Sequence, residues 1–358
     1  MGERCNKLHQ DGTRFIGQSK INHLVNMAPP AKTAIKIVFG AMTIGKPGVE
    51  QTRVHTLEGA AALLDVFQQY GHSEVDTARV YGDGSSEEYL GQLAWQKRGL
   101  VVETKLYPIV GTASHKPEDL RKHLMLSLKA LEADKIDLWY LHAPDRNTPY
   151  EETLREVNNL HKEGFFNRFG ISNYMAWEVA QVCEICDRNG WIKPTVYQGL
   201  YNAIDRSVEL ELFPCLRHYG IAFYAYNPLA GGYLTSRYRR DTTEDAIEKG
   251  SRFDPSTQQG RRYRARYWKE DMFDALDILR PVAEKHELTE AECALRWMMH
   301  NSLLNREHGD ALIIGASSTG HLEENLKDLE KGPLPEEVLN ALDQAWSRTR
   351  ATTGKYFH

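Results

Sequence analysis

No apolar run in this 358-residue chain approaches the roughly 20 residues that a membrane-spanning helix needs. The first thirty-four residues are polar and aperiodic, without the continuous hydrophobic stretch of a secretory signal. They hold acids as well as bases and no clear amphipathic arginine helix, which leaves only a weak case for a mitochondrial presequence. Positive charge is also short: 44 Lys and Arg stand against 49 Asp and Glu, for a net charge of −5. No global field exists to draw in phosphates, which argues against a nucleic-acid or membrane-surface binder. Five cysteines in a chain this long make no disulfide framework, and a reducing, cytoplasmic setting fits best. Cys183 and Cys186 form a C-x-x-C pair inside the helical pattern AWEVAQVCEICDR. With no second pair or nearby histidine to complete a zinc site, they read as helix packing, redox or metal chemistry being the alternative. Finally, no Gly-x-Gly-x-x-Gly follows the first strand; Phe39-Gly40-Ala41-Met42 offers one glycine, which argues against a Rossmann nucleotide site.

What the chain does have is alternation. The hydrophobic share of 41% supplies a large core. After the polar leader, the strand AIKIVFGAM precedes the helical run TLEGAAALLDVFQQYG, where Leu57, Ala60, Leu64 and Phe67 recur at helical spacing. SEVD, LVVETK, DLWYLH, RFGIS, TVYQ, IAFYAY and ALIIG follow as strands, with helices between them. Pro117-Glu118-Asp119 suits the first turn of a helix, and Thr148-Pro149-Tyr150-Glu151 reads as a capping box. A long loop-rich stretch from Asn227 to about Tyr267 interrupts the rhythm, and two helical stretches follow the last strand. Eight strands alternating with helices favour a single closed (β/α)8 barrel with extra C-terminal helices and loops. Residues 35–358 are expected to form that barrel and residues 1–34 a polar leader. Met27, followed by APPAK, is a plausible alternative start, so residues 1–26 are expected to be dispensable.

Four ionisable side chains, Asp76, Tyr81, Lys105 and His142, sit at or just past successive strands. In a barrel, such ends gather on the face that carries the chemistry. A tyrosine near its ordinary pKa of about 10 is a poor acid at neutrality. A nearby ammonium stabilises phenolate and makes the phenol a better donor. Tyr81 is thus the expected proton donor to a carbonyl oxygen, Lys105 its modulator, Asp76 the lysine's partner and His142 the group that orients the carbonyl. Singly each has an ordinary reading, as turn, cap, solvated strand end or core imidazole. Four such accidents at consecutive strand ends are improbable together.

The segments EVDTARVYGDGSSEEYLG, ETKLYP, DLWYLHAPDRNTPYEETL, FGISNY, TVYQGLYNAIDR, YAYNPLAGGYLT, RYRARYWKEDMFDAL and GASSTGHLEENL resemble the aldo-keto reductases, specifically the aflatoxin-aldehyde reductase branch. The resemblance runs from about Ile35 to the last residues. It implies the same barrel and an NADPH-dependent reduction of aldehydes and ketones, dicarbonyls and carboxylate-bearing aldehydes among them. It implies that Ser172, Asn173 and Gln198 meet the nicotinamide carboxamide, that Tyr226 stacks on the ring and that Met42 lies near it. Asn227, Pro228, Leu229, Gly231 and Gly232 would line the pyrophosphate path. Gly315 opens the segment in which Ser317 and His321 would surround the 2′-phosphate, with Glu324 and Asn325 at the adenine. His321 stands where many relatives carry glutamine or arginine, and an imidazole is a weaker phosphate partner than a guanidinium. NADP(H) is therefore expected, with NAD(H) behind it. The terminal His358 likewise replaces an arginine common in relatives, which weakens the case for a carboxylate-bearing substrate. The resemblance also implies a homodimer.

The basic stretch Arg261, Arg262, Arg264 and Arg266, with Tyr263, Tyr267 and Trp268, reads first as solvated loop surface, second as a contact for cofactor phosphate or an anionic substrate, and far behind, given the acidic net charge, as a nucleic-acid contact. The rival to a reductase is a cofactor-binding, redox-sensing regulatory subunit on the same barrel. A metal-dependent hydrolase would need clustered ligands at strand ends, and His142 alone does not supply them. The substrate partner is a small carbonyl compound.

Overall fold

The computed structural model describes residues 31–358. The segment 1–26 and the start at Met27 lie outside the described residues, as does nearly all of the leader. Thr33 is already buried, and its carbonyl accepts from Arg306 Nη1 at 3.0 Å, so docking begins just before the expected boundary.

Eight parallel strands form the barrel: β1 (Lys36–Gly40), β2 (Glu74–Asp76), β3 (Val101–Leu106), β4 (Ile136–Leu141), β5 (Phe166–Ser172), β6 (Val196–Leu200), β7 (Ala222–Tyr226) and β8 (Ala311–Ile314). Closure is decided at β1, which pairs with β2 on one side (Gly40 opposite Asp76) and β8 on the other (Phe39 opposite Ile314). The connections are α1 (Leu57–Gln69), α2 (Ser85–Gln92), α3 (Pro117–Ala130), α4 (Tyr150–Lys162), α5 (Ala176–Asn189) and α6 (Leu212–Tyr219). Three helices separate β7 from β8: α7 (Gln258–Tyr267), α8 (Glu270–Lys285) and α9 (Glu290–His300). After β8 come α10 (Thr319–Leu329) and α11 (Glu336–Thr349), the latter packed on α8.

Local sequence explains most of these elements. Thr56 caps α1 by accepting from Gly59 N, and the helix buries Ala60, Leu63, Leu64 and Phe67 against the barrel. Each fully buried Leu or Phe contributes about 1.5–3 kcal/mol of hydrophobic stabilisation. Pro117 opens α3, which needs no donor there, and Leu120, Leu124 and Leu128 form its inner stripe. Cys183 and Cys186 are buried on the inner side of α5, and burial pushes both thiols up to about 12.

Two expectations fail. Thr148 does not cap α4: the N-cap is Pro149, and the Thr148 hydroxyl donates instead to Asp145 Oδ2 at 2.8 Å. The aspartate's loop outcompetes the helix for that hydroxyl. The stretch from Asn227 is loop-rich as far as Thr257, but the basic residues at its end lie in α7, residues 258–267, capped by Thr257. The arginines expected on a loop therefore lie on a helix.

The barrel interior is polar at one end. Glu74 accepts from Lys36 Nζ at 2.9 Å, from Tyr224 Oη at 2.9 Å and from Arg168 Nη2 at 3.3 Å. Val38, Leu138, Val196, Ala311 and Ile313 fill the layer beyond. Asp76, Lys105 and Gln198 come together at the opposite end, the C-terminal face.

Candidate active site

Strand register brings three of the four expected chemical groups to one place. Asp76 ends β2, Lys105 is the last residue but one of β3, and His142 follows β4 directly. Tyr81 arrives on the turn between β2 and α2. Lys105 is wholly buried and donates to Asp76 Oδ1 and, at 2.7 Å, to the Thr77 carbonyl. Its Nζ lies 5.0 Å from the centre of the Tyr81 ring. Tyr81 meets His142 edge-on with ring centres 5.8 Å apart, and Tyr107 closes the other side of His142 at 5.3 Å.

Burial dominates the electrostatics of the cluster. The Tyr81 phenol is pushed further above its ordinary value, first by burial and then by the charge of Asp76. Burial and the Asp76 charge outweigh the nearby Lys105 ammonium, whose hydrogen bonds go to Asp76 and the Thr77 carbonyl. Burial also raises the Asp76 carboxyl, against the opposing pull of Lys105 and the hydrogen bonds from Lys105 and Gln198. Burial, then Lys105 and His358, hold His142 well below the usual histidine range, so its imidazole is neutral. Its Nδ1 is buried with no hydrogen-bond partner among the described residues.

A cavity of about 890 Å³ runs from this cluster across the barrel mouth to the start of α10. Asp76, Tyr81 and His142 line its inner end, and Lys105 lies behind them. Met42, Asn173, Gln198, Tyr226, Asn227, Pro228, Leu229, Gly231 and Gly232 line its middle. Gly315, Ser317, His321, Glu324 and Asn325 line the far end. Ser172 does not reach the cavity: it is fully buried, and its Oγ accepts from Asn173 Nδ2 at 2.9 Å. Gln198 has a task that its strand position did not reveal, donating to Asp76 Oδ1 at 2.8 Å. The Tyr226 hydroxyl donates to Asn173 Oδ1 at 3.0 Å, fixing the ring at the cavity wall.

Several lining residues escaped the sequence reading. Arg53, Arg237 and Arg252 bring guanidinium groups to the cavity from loops after β1 and β7. Arg237 Nη2 lies 3.5 Å from His321 Nε2, and Ser317 Oγ lies 3.4 Å from His321 Nδ1. Glu248 bridges Arg237 and Arg53, joining the two loops. Arg262 and Arg266 line the cavity from α7, beside His358, whose imidazole burial and the arginines hold down to about 4. Arg262 and Arg266 belong to the basic stretch already singled out in the sequence, although spacing could not show which of its arginines face inward, whereas no such run marked Arg53, Arg237 or Arg252.

The donor set suits a dinucleotide. Amide side chains flank an aromatic wall at one end, guanidinium groups follow, and the N-terminus of α10 with its Ser318 cap closes the other. The aldo/keto reductase family model matches residues 36–347. The chain belongs to the aldo/keto reductase family. Aldo-keto reductase pigE of Monascus ruber is 51% identical over 91% of this chain and 98% of its own. An aldo-keto reductase of Pseudocercospora fijiensis is 55% identical over 82% and 100% respectively. Aflatoxin B1 aldehyde reductase member 4 of Homo sapiens is 44% identical over 89% and 96%. As a member of this family the chain is an oxidoreductase that uses a nicotinamide cofactor on small carbonyl compounds. Among the described residues, no helix is long and apolar enough to cross a membrane.

Proposed function

We propose that this aldo/keto reductase reduces aldehydes and ketones, dicarbonyls among them, with NADPH, and that Tyr81 donates the proton. The observation that carries the reading is the meeting of Tyr81, the Lys105–Asp76 pair and His142 at one end of a dinucleotide-sized cavity. When bound, the cofactor supplies hydride to the carbonyl carbon. The chain's own residues handle the oxygen. His142, neutral and held between two tyrosine rings, serves as a hydrogen-bonding guide for the carbonyl rather than as an acid. Tyr81 keeps its proton until negative charge develops on that oxygen, because burial disfavours phenolate beforehand. Lys105 then acts on the product of the transfer: a cation behind the ring stabilises the phenolate it has become. Asp76, with Gln198 on the same carboxylate oxygen, keeps the ammonium in place.

NADPH is favoured over NADH by Arg237. The guanidinium beside His321 and Ser317 provides the phosphate partner that the imidazole alone lacks. Arg262 and Arg266 at the opposite end favour carbonyl substrates that also carry negative charge.

Tyr81→Phe tests the assignment, since the ring stays and only the acid is lost. With a panel of aldehydes, kcat should fall about 100- to 10,000-fold, the range for a lost general acid. NADPH affinity should hold. Near-full turnover in the variant would refute the mechanism; tight cofactor retention with negligible turnover in the parent would instead favour a regulatory subunit.

A further inference from the structure

The turn that carries Tyr81 is tied down by a buried carboxylate that the chemistry above does not use. Glu87, on the first turn of α2, is 0% exposed. Its Oε2 accepts from Arg79 Nη1 at 2.5 Å, and its Oε1 accepts from Thr104 Oγ1 at 2.6 Å. Arg79 stands two residues before Tyr81, and Thr104 immediately precedes Lys105. Arg79 also donates its backbone N–H to the Lys105 carbonyl at 3.0 Å. One carboxylate thus reaches a neighbour of the phenol and a neighbour of the ammonium.

The turn needs such a restraint. Gly82, Asp83 and Gly84 have φ of 55°, 52° and 91°, three successive residues in the left-handed region. Gly84 lies so close beneath the Arg79 side chain that a Cβ there would sit 1.6 Å from Nη2. Backbone bonds from Thr77 and Arg79 to the Glu103 and Lys105 carbonyls hold the start of the segment, and the Glu87 side chain adds a tie from the far side of the turn, through Arg79. Stability gives no reason to bury a charge here, because well-packed apolar residues in place of a buried ion pair are often neutral or stabilising. What an apolar residue could not do is link two fixed points directionally.

We propose that Glu87 is a positioning residue that sets the separation of Tyr81 and Lys105, holding the turn of one through Arg79 and the strand of the other through Thr104. This rests on the reading of Tyr81 as proton donor. Displacing a reacting group by about 1 Å costs about 100-fold in rate.

The test uses the full chain with Thr104→Val, which removes only the hydroxyl, Thr104→Ser, which restores it, and Glu87→Gln, which keeps an acceptor but loses the charge. Measurements are kcat per folded enzyme, NADPH dissociation, and the isotope effect on kcat with 4-deuterated NADPH. Thr104→Val and Glu87→Gln should lower kcat by about 10- to 100-fold and raise the isotope effect, as the chemical step becomes limiting. NADPH dissociation should stay within about twofold, since no cofactor-facing group is touched, and Thr104→Ser should recover most of the rate. Unchanged kcat and isotope effect in both variants, or a loss accounted for by the unfolded fraction, overturns the proposal. Tyr81→Phe run alongside separates the two readings: an active Tyr81→Phe enzyme sinks both, whereas an inactive one beside unaltered Thr104→Val and Glu87→Gln enzymes sinks this inference alone.

Discussion

Replacing Lys105 by methionine should destabilise the protein in a way that depends on pH, and the dependence is the informative part. Lys105 and Asp76 form a pair with side chains 0% and 3% exposed. Removing one member of a buried pair typically costs about 3–5 kcal/mol, because the other charge is left without compensation. That is a large share of a total stability of about 5–15 kcal/mol. Asp76 would keep only the Gln198 amide, at 2.8 Å. Its carboxyl, already raised by burial, loses the two opposing influences of Lys105 and rises further. The folded variant therefore binds a proton at Asp76 that the unfolded chain has released. A folded-state pKa above the unfolded value means that stability is complete below the unfolded carboxyl range and is lost as pH rises through the folded value. The Lys105→Met enzyme should accordingly lose least below the unfolded carboxyl pKa of about 3.9 and progressively more as pH rises above it, as read by urea denaturation. Adding Asp76→Asn should remove the slope and restore stability on the alkaline side. A uniform loss across pH, or a double variant no more stable than the single one, would show that the pair is not what holds this layer.

Arg237→Ala should raise the KM for NADPH by about 10- to 100-fold, the worth of one charge-assisted contact, and leave that for NADH nearly unchanged; equal effects on both cofactors would remove Arg237 from the phosphate site. His115 is buried and neutral, its imidazole held down to about 4 by burial. A depressed folded value contributes stability above the unfolded pKa of about 6.5 that is lost as pH falls towards 4, with a ceiling of about 3 kcal/mol for this group. His115→Gln should therefore flatten part of the acid limb of the Tm–pH curve, and an unaltered limb would argue against the assignment. Cys183 and Cys186, with thiols pushed to about 12, should resist alkylation in the folded protein and react at once in denaturant. Rapid labelling of the native chain would reopen a redox role for the pair.

Most of the barrel could be read from the chain because its signals are local. Alternating apolar runs such as VVETKL and IDLWYL, and helical stripes such as Leu120, Leu124 and Leu128, announce themselves within a dozen residues. α7 did not, because QQGRRYRARY buries only Gly260 and Tyr267 and shows no apolar face to count. The Thr148 cap misled because its hydroxyl had a better acceptor in Asp145, three residues upstream in a loop that only folding shapes.

By itself the amino-acid order determined the eight strands, the family resemblance and which polar side chains stand at strand ends. Tertiary structure alone decided that β1 meets β8 and that Gln198 shares Asp76 with Lys105. It likewise decided that Ser172 is fully buried against Asn173, that Arg237 reaches His321, and that burial and Asp76 raise the Tyr81 phenol. The reason is physical: spacing along a strand fixes the face a residue takes, whereas burial and charge partners are set by segments a hundred residues away.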